Sequence, residues 1–142
     1  MFTVFNNLIH TTVFQTVISG VFVFIGSQIF QDYFLKPRQK YREVIARIDN
    51  QLKFHSPKIV NNLNLPKNVQ MECNEIIRLL SCELEATYKQ LCFRSKNRDK
   101  KIGKAASLLI GLSNSIWFSS DKESEYSTIQ EIRELLNIKE LI

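Results

Sequence analysis

The longest uninterrupted apolar pattern in the chain lies near its N-terminus. The stretch TVFQTVISGVFVFIGSQIF, residues 12–30, has no charged side chain and is crowded with Val, Ile and Phe. As a helix, residues 13–30 would reach about 27 Å, close to a hydrocarbon core of about 30 Å. Leu8 and Ile9 before the run, and Tyr33, Phe34 and Leu35 after it, extend the span. Val, Ile, Phe and Thr also favour strands, and Ser19-Gly20 offers a turn between two of them. A soluble hairpin needs a partner sheet, however, and no other run in the chain reads as a strand. The pattern predicts a membrane-spanning helix. No basic residues precede it and no small-residue cleavage motif follows it, so a retained signal anchor is expected rather than a cleaved leader.

Beyond Leu35 the apolar residues recur with a helical period. Tyr41, Val44, Ile45, Ile48 and Leu52 predict an amphipathic helix from Arg38 to about Phe54. Pro37 is tolerated in a first turn, and Ser56-Pro57 is expected to end the helix. Residues 56–66 read as a connector with one short turn near 59–63. A second pattern runs from about Lys67 to Phe93 through Val69, Cys73, Ile76, Ile77, Leu80, Leu84, Tyr88 and Leu91. RSKNRDKK, residues 94–101, breaks it. Ile102, Ala105, Ala106, Leu109, Leu112 and Ile116 carry a third helix to about Phe118. Ser119-Ser120-Asp121 can cap a last helix over about 124–137, with Ile129, Ile132, Leu135 and Leu136 on one face. The expected fold is all-α: one N-terminal transmembrane helix followed by a small cytosolic bundle of about four helices. Three segments are expected: 1–35, the span with an extracytoplasmic N-terminus; 36–66, a juxtamembrane helix and connector; and 67–142, the cytosolic helical domain.

Size and charge sharpen this. At 142 residues the chain has room for about one domain. Without the apolar part, about 105 residues remain, enough for one modest core. The net charge of +5 is uneven: residues 1–31 hold no Lys, Arg, Asp or Glu, and all 19 basic residues lie beyond Leu35. Lys36, Arg38, Lys40 and Arg42 directly follow the span, which predicts an outside N-terminus and a cytosolic C-terminal domain in a bacterial inner membrane. Cys73, Cys82 and Cys92 fit neither a disulfide framework nor a metal-binding pair, and are expected to be reduced, buried apolar residues. A zinc site is not expected, since only His10 and His55 could assist and His10 belongs to the membrane end. No cofactor is expected.

Three constellations bear on function. Within the apolar helix, Thr12, Gln15, Thr16, Ser19, Val23, Gly26 and Phe30 fall on one side at 100° per residue. Phe14, Val17, Ile18, Val21, Phe22, Phe24, Ile25 and Ile29 fall on the other. Positions 12, 16, 19, 23, 26 and 30 alternate steps of four and three, the seam of a left-handed coil. Small residues permit close helix approach, and Thr, Ser and Gln can hydrogen-bond across an interface. Thr12, Gln15, Thr16, Ser19, Val23 and Gly26 are therefore expected to form a homo-oligomer seam, which either only joins helices or lines a pore in one state. Gln28 on the other face is unexplained.

The second constellation is Arg94, Lys96, Arg98, Lys100, Lys101 and Lys104, interrupted only by Asp99. It lies at the start of a helix, where backbone N–H groups already favour anions. It can be a solvated loop, a segment drawn to anionic lipid, or the site of a phosphate-bearing ligand such as a nucleotide second messenger. A long nucleic acid is not the expected partner. The third is Gly111-Leu112-Ser113-Asn114-Ser115-Ile116-Trp117. A base could stack on Trp117 beside Ser113 and Asn114, but helix packing, with Trp117 filling a gap, is the commoner use of such residues. For catalysis the sequence offers little. Glu72, Glu75, Glu83 and Glu85 read as a solvated helix face, His55 stands alone beside a Pro, and no nucleophile or phosphate-loop motif occurs; an enzyme is not expected.

With Leu109-Ile110 before Gly111-Leu112-Ser113-Asn114-Ser115, the chain resembles a group of small bacterial single-pass membrane proteins. These also begin with a Gly-containing apolar helix and pass through a Phe-Leu-x-Pro segment, here Phe34-Leu35-Lys36-Pro37, into a charged helix. In layout the chain is also similar to transmembrane effectors of prokaryotic antiphage defence, of the CRISPR and CBASS cyclic-oligonucleotide-sensing type. That similarity implies a cytosolic domain that senses a nucleotide signal, such as a cyclic oligoadenylate, and alters membrane permeability. The competing expectation is a membrane-tethered adaptor that docks a cytosolic protein, its span only an anchor.

Overall fold

The computed structural model describes residues 12–60, 66–118 and 122–138, with side chains given from residue 14 onward except at 58–60, 118 and 122. All of the regular structure among these residues is helical. The elements are α1 (Thr12–Phe30), a π-helical turn (Gln31–Leu35), α2 (Lys36–Val60), α3 (Lys67–Lys89), α4 (Lys96–Phe118) and α5 (Lys122–Leu135). They divide into two compact units, Met1–Lys36 and Pro37–Ile142.

The described residues of the first unit belong to a helix long and apolar enough to cross a membrane, and none of its apolar window is buried. The core helix of a soluble protein would be largely covered. Here Phe22, Val23 and Phe24 are 63% exposed or more. The hydroxyls inside the helix turn back on their own backbone: Ser19 Oγ donates to Thr16 O at 3.0 Å and Ser27 Oγ to Phe24 O at 2.8 Å. That local bonding lets a hydroxyl enter lipid without leaving a polar group unmet. The π turn precedes Pro37, whose ring has no N–H and crowds the carbonyl four residues back. Widening relieves that crowding: Lys36 N–H reaches Gln31 O, five residues away. Phe30 and Phe34 stack along this turn with ring centroids 5.3 Å apart.

The second unit is the expected four-helix bundle, around one core. Tyr41, Val44, Ile48 and Leu52 from α2, Cys73, Ile77, Leu80, Leu84 and Tyr88 from α3, Ile102, Ala105, Ala106, Leu109, Leu112 and Ile116 from α4, and Ile129 and Ile132 from α5 all join it. The juxtamembrane helix is thus part of the same core as the downstream helices. Asp49 on α2 ties α5 down, accepting from Arg133 Nε at 3.1 Å and pairing with Lys53 Nζ at 2.7 Å. At the end of α5, Asn137 takes φ 56°. The Ile138 N–H then reaches Arg133 O at 2.9 Å and the Asn137 N–H reaches Glu134 O at 3.0 Å, a left-handed cap that satisfies the last carbonyls.

Helices α3 and α4 run antiparallel in a polar register of seven. Asn74 Nδ2 donates to Ser113 O at 2.6 Å, Ser81 Oγ to Ala106 O at 3.0 Å, and the Tyr88 hydroxyl to Asp99 Oδ1 at 2.7 Å. Each advance of seven on α3 meets a retreat of seven on α4. Ala105 and Ala106, with no exposed surface, keep the backbones close enough for Ser81 to reach across.

Several expectations are corrected. Helix α2 does not stop at Ser56-Pro57 but runs on to Val60 with Pro57 inside it. The donor that Pro57 lacks would have served Lys53, and both residues are exposed, so the orphaned carbonyl lies on the wet side while Leu52 and His55 hold the inner side. Helix α3 ends at Lys89 rather than near 93, and α4 begins at Lys96, inside the stretch expected to break the pattern. The reason is a cap: Ser95 Oγ accepts from the Arg98 N–H at 3.4 Å and Ser95 O from the Asp99 N–H at 2.9 Å. Cys73 is buried as expected, but Cys82 and Cys92 are exposed, and Cys92 lies outside the helices. The expected turn near 59–63, the cap at 119–121, and His10 fall partly or wholly outside the described residues.

Because the core belongs to the second unit alone, the two units respond separately to truncation. Leu109→Ala should lower the stability of the bundle by about 2–5 kcal/mol in chemical denaturation of the full chain in detergent. Val23→Ala should leave that transition unmoved.

Candidate functional site

The basic cluster is built on the start of α4 and the loop before it. Its members do not converge. At 100° per residue, Lys96, Lys100 and Lys104 form a ladder on the outer face, Lys101 flanks it, and Arg98 points with the core residues Ile102 and Ala105. Arg98, although exposed, lies against the bundle: its guanidinium carbon is 5.6 Å from the centroid of the Tyr41 ring, a cation–π contact worth about 0.5–1 kcal/mol at such a site. Lys104 Nζ pairs with Glu131 Oε1 on α5 at 2.5 Å, both side chains well exposed. The side chains of Arg94, Lys96, Lys100 and Lys101 are exposed and make no ion pair or hydrogen bond among the described residues. Of the six expected ligand-binding cations, four are therefore available on the surface and two hold helices together. The helix N-terminus itself is already served by Ser95.

Beneath the cluster sits an aromatic–acid group that sequence reading did not anticipate. Tyr41 and Tyr88 meet with ring centroids 5.7 Å apart, and the Tyr88 hydroxyl donates to Asp99. Burial pushes the Tyr88 phenol up to about 12, and the hydrogen bond and charge of Asp99 add to the rise, because ionising Tyr88 would place two anions together. Tyr41 is also raised by burial, with Arg98 pulling the other way. Asp99, the one acid within the basic cluster, thus serves the α3–α4 contact.

The Trp117 constellation is split too. Ser113 is fully buried at the α3–α4 contact. Arg78 Nη2 donates to Asn114 Oδ1 at 2.7 Å and Arg78 Nε to Ser113 Oγ at 3.3 Å. Trp117 is 40% exposed, so it does not fill an interhelical gap as expected. Ser113 and Asn114 are committed to Asn74 and Arg78, which leaves a base stacked on Trp117 without its expected hydrogen-bonding partners.

In α1, Gln15, Thr16, Ser19, Val23 and Gly26 are all exposed; Thr12 belongs to the helix, but its side chain is not described. A Cβ added at Gly20 or Gly26 would meet nothing within 4 Å. No contact among the described residues requires those glycines. Gln15 and Gln28 have no hydrogen-bond partner among the described residues.

His55 is not isolated. Its Nδ1 lies 3.1 Å from Cys73 Sγ, and its ring meets Phe54 edge-on at 4.9 Å. The thiol and imidazole are 1% and 3% exposed. A thiol beside an imidazole is a nucleophile pairing, but here it is sealed in the core between α2 and α3 and acts as a polar clasp. The two residues are 18 apart in sequence, with a proline and the interhelical connector between them, which hid the pairing. No group of three or more His, Cys, Asp or Glu side chains suited to a metal ion occurs among the described residues.

No protein-family model matches this chain, and no curated protein or solved structure is significantly similar to it.

The raised Tyr88 phenol gives the bundle a defined alkaline limit. Below an ordinary phenol value of 10.0 both folded and unfolded Tyr88 are protonated, and the contribution of the pair is complete. As pH rises from there through about 12, the unfolded chain ionises first and that contribution is lost, about 2–3 kcal/mol. Denaturation of the full chain at about pH 9 and about pH 12 should show this loss, and Tyr88→Phe should remove it, leaving only the background fall shared with other groups.

Proposed function

We propose that this chain is a single-pass bacterial inner-membrane protein, N-terminus outside and bundle in the cytosol, that self-associates through α1. The bundle receives a signal and changes how the α1 helices pack, altering membrane permeability as in antiphage defence. The observation that carries this reading is α1 itself: an apolar helix with no cover from its own chain that keeps Gln15, Thr16, Ser19 and Gly26 on one side. Glycines that no intrachain contact needs are what a second copy would use for close approach. In a symmetric assembly, one anionic ligand bound near the axis would bias all subunits at once. Arg94, Lys96, Lys100 and Lys101 are the cations left to meet it, and a phosphate-bearing messenger such as a cyclic oligonucleotide suits their charge.

A second reading, the tethered adaptor, draws support from the divergent cluster. With Arg98 on Tyr41 and Lys104 on Glu131, the bundle gains a ready-made surface rather than a pocket, and such a surface fits a protein partner.

The double variant Ser19→Leu/Gly26→Leu separates the two. Both positions are exposed, a Cβ at Gly26 meets nothing within 4 Å, and both changes make α1 more apolar, so insertion is retained. The effector reading expects the oligomer seen by native mass spectrometry to weaken by about tenfold or more, and leak from dye-loaded vesicles to fall with it. Unchanged assembly and leak would leave the adaptor standing.

A further inference from the structure

The loop between α3 and α4 sits at a particular end of the bundle. Tyr41, in the second turn of α2, touches both Tyr88, the penultimate residue of α3, and Arg98, near the start of α4. The tight loop of residues 90–95 therefore lies at the same end of the second unit as Pro37, where the chain enters it from the apolar helix. Three features gather there. Phe93 is 82% exposed, the most exposed of the large apolar side chains among the described residues. Cys92 beside it is exposed as well. The same end of the bundle carries exposed cations: Arg94 in the loop, Lys96, Lys100 and Lys101 in the first turns of α4, and Arg38, Lys40 and Arg42 at the start of α2. No acid lies between Leu91 and Arg98, and Asp99 is turned to the Tyr88 hydroxyl.

An exposed aromatic at a bundle end that carries exposed cations is poorly suited to water and well suited to the boundary of an anionic bilayer. The ring enters the headgroup region while the lysines and arginines neutralise lipid phosphates. Covalent connection keeps this end of the bundle within reach of the membrane that α1 would occupy, so weak contacts act at high effective concentration. We propose that the 90–95 loop, with Phe93 as its apolar tip and Arg94, Lys96, Lys100 and Lys101 as its charge, is a membrane-surface contact that docks the bundle on anionic lipid. The proposal needs α1 to lie in a bilayer but not the effector reading, and it holds equally for a tethered adaptor. Its consequence for regulation is direct. Docked and released bundles are two states, and any soluble polyanion would compete with lipid for the same lysines.

The cysteines supply the test. Cys92 lies in the loop. Cys82 is exposed on α3, about 10 Å along the helix from its end at Lys89, and Cys73 is buried. The full chain is reconstituted in nanodiscs of phosphatidylcholine alone or with phosphatidylglycerol, and labelling of each thiol by a water-soluble maleimide is timed by mass spectrometry. The proposal expects Cys92 to react several-fold more slowly in the anionic discs while Cys82 keeps its rate. Each lysine should contribute up to about fivefold, so Lys96→Glu/Lys100→Glu/Lys101→Glu should restore the rate, as should about 0.5 M salt. Phe93→Ser should restore it in part. Slow labelling of Cys73 in every variant verifies that the bundle is folded. Equal Cys92 rates in the two lipids would overturn the proposal, as would Cys82 and Cys92 slowing together. So would protection of Cys92 by an added cyclic oligoadenylate in phosphatidylcholine discs with no effect of anionic lipid, which would make the cluster a nucleotide site.

Discussion

The apolar surface of α1 has to leave water. At about 25 cal/mol for each Å² of apolar area, a helix bearing Val17, Val21, Phe22, Val23, Phe24, Ile25 and Ile29 in the open carries a cost comparable to the whole stability of a small domain. Among the described residues none of its apolar window is buried, and the core of the second unit contains none of its side chains. By length and composition the helix is long and apolar enough to cross a membrane. The rest of the molecule is consistent with that constraint: serines that bond their own backbone, a widened turn before Pro37, and charge that begins where the apolar run ends.

The bundle is held by a different principle. Its apolar core is ordinary, but α3 and α4 are set in register by polar side chains seven residues apart. Ser81 and Asn74 reach backbone carbonyls across the contact, and Tyr88 reaches Asp99. A slip of the two helices would strand the buried Ser81 hydroxyl and bring Tyr88 opposite a residue other than Asp99. Buried polar groups that must be paired make such slips costly. The same register places the 90–95 loop at one end with its cations outward. The charge of the cluster is thus shared between two tasks, with Arg98 and Lys104 binding helices to each other and the remaining four facing outward.

Much of this was legible in the sequence because it depends on period. The apolar run of α1, and the spacing of Tyr41, Val44, Ile48 and Leu52 or of Ile102, Ala105, Leu109 and Leu112, mark helices and their inner faces directly. What stayed hidden depends on partners distant in sequence. Arg98 reads as one more cation until Tyr41, from another helix, is placed beneath it. His55 reads as isolated until Cys73 is placed beside it. Helix α4 starts early because one hydroxyl, Ser95, caps it, a signal too short to overcome eight residues without apolar period. Pro57 reads as a stop because the sequence does not reveal that Lys53, whose carbonyl loses its donor, faces solvent. Trp117 and Cys82 were assigned to the interior by residue type, whereas position on the helix put both outside. The site residues of α1 are legible as a pattern, and Gln15, Thr16, Ser19, Val23 and Gly26 are all exposed among the described residues.

The most direct measurement of the central claim is whether α1 holds the protein in a membrane by spanning it. Membranes from cells expressing the full chain are washed with alkaline carbonate, which strips proteins held by charge or surface contact. The account predicts that the full chain stays in the membrane pellet, while a chain beginning at Pro37 is recovered in the supernatant. Release of the full chain by the wash would contradict it.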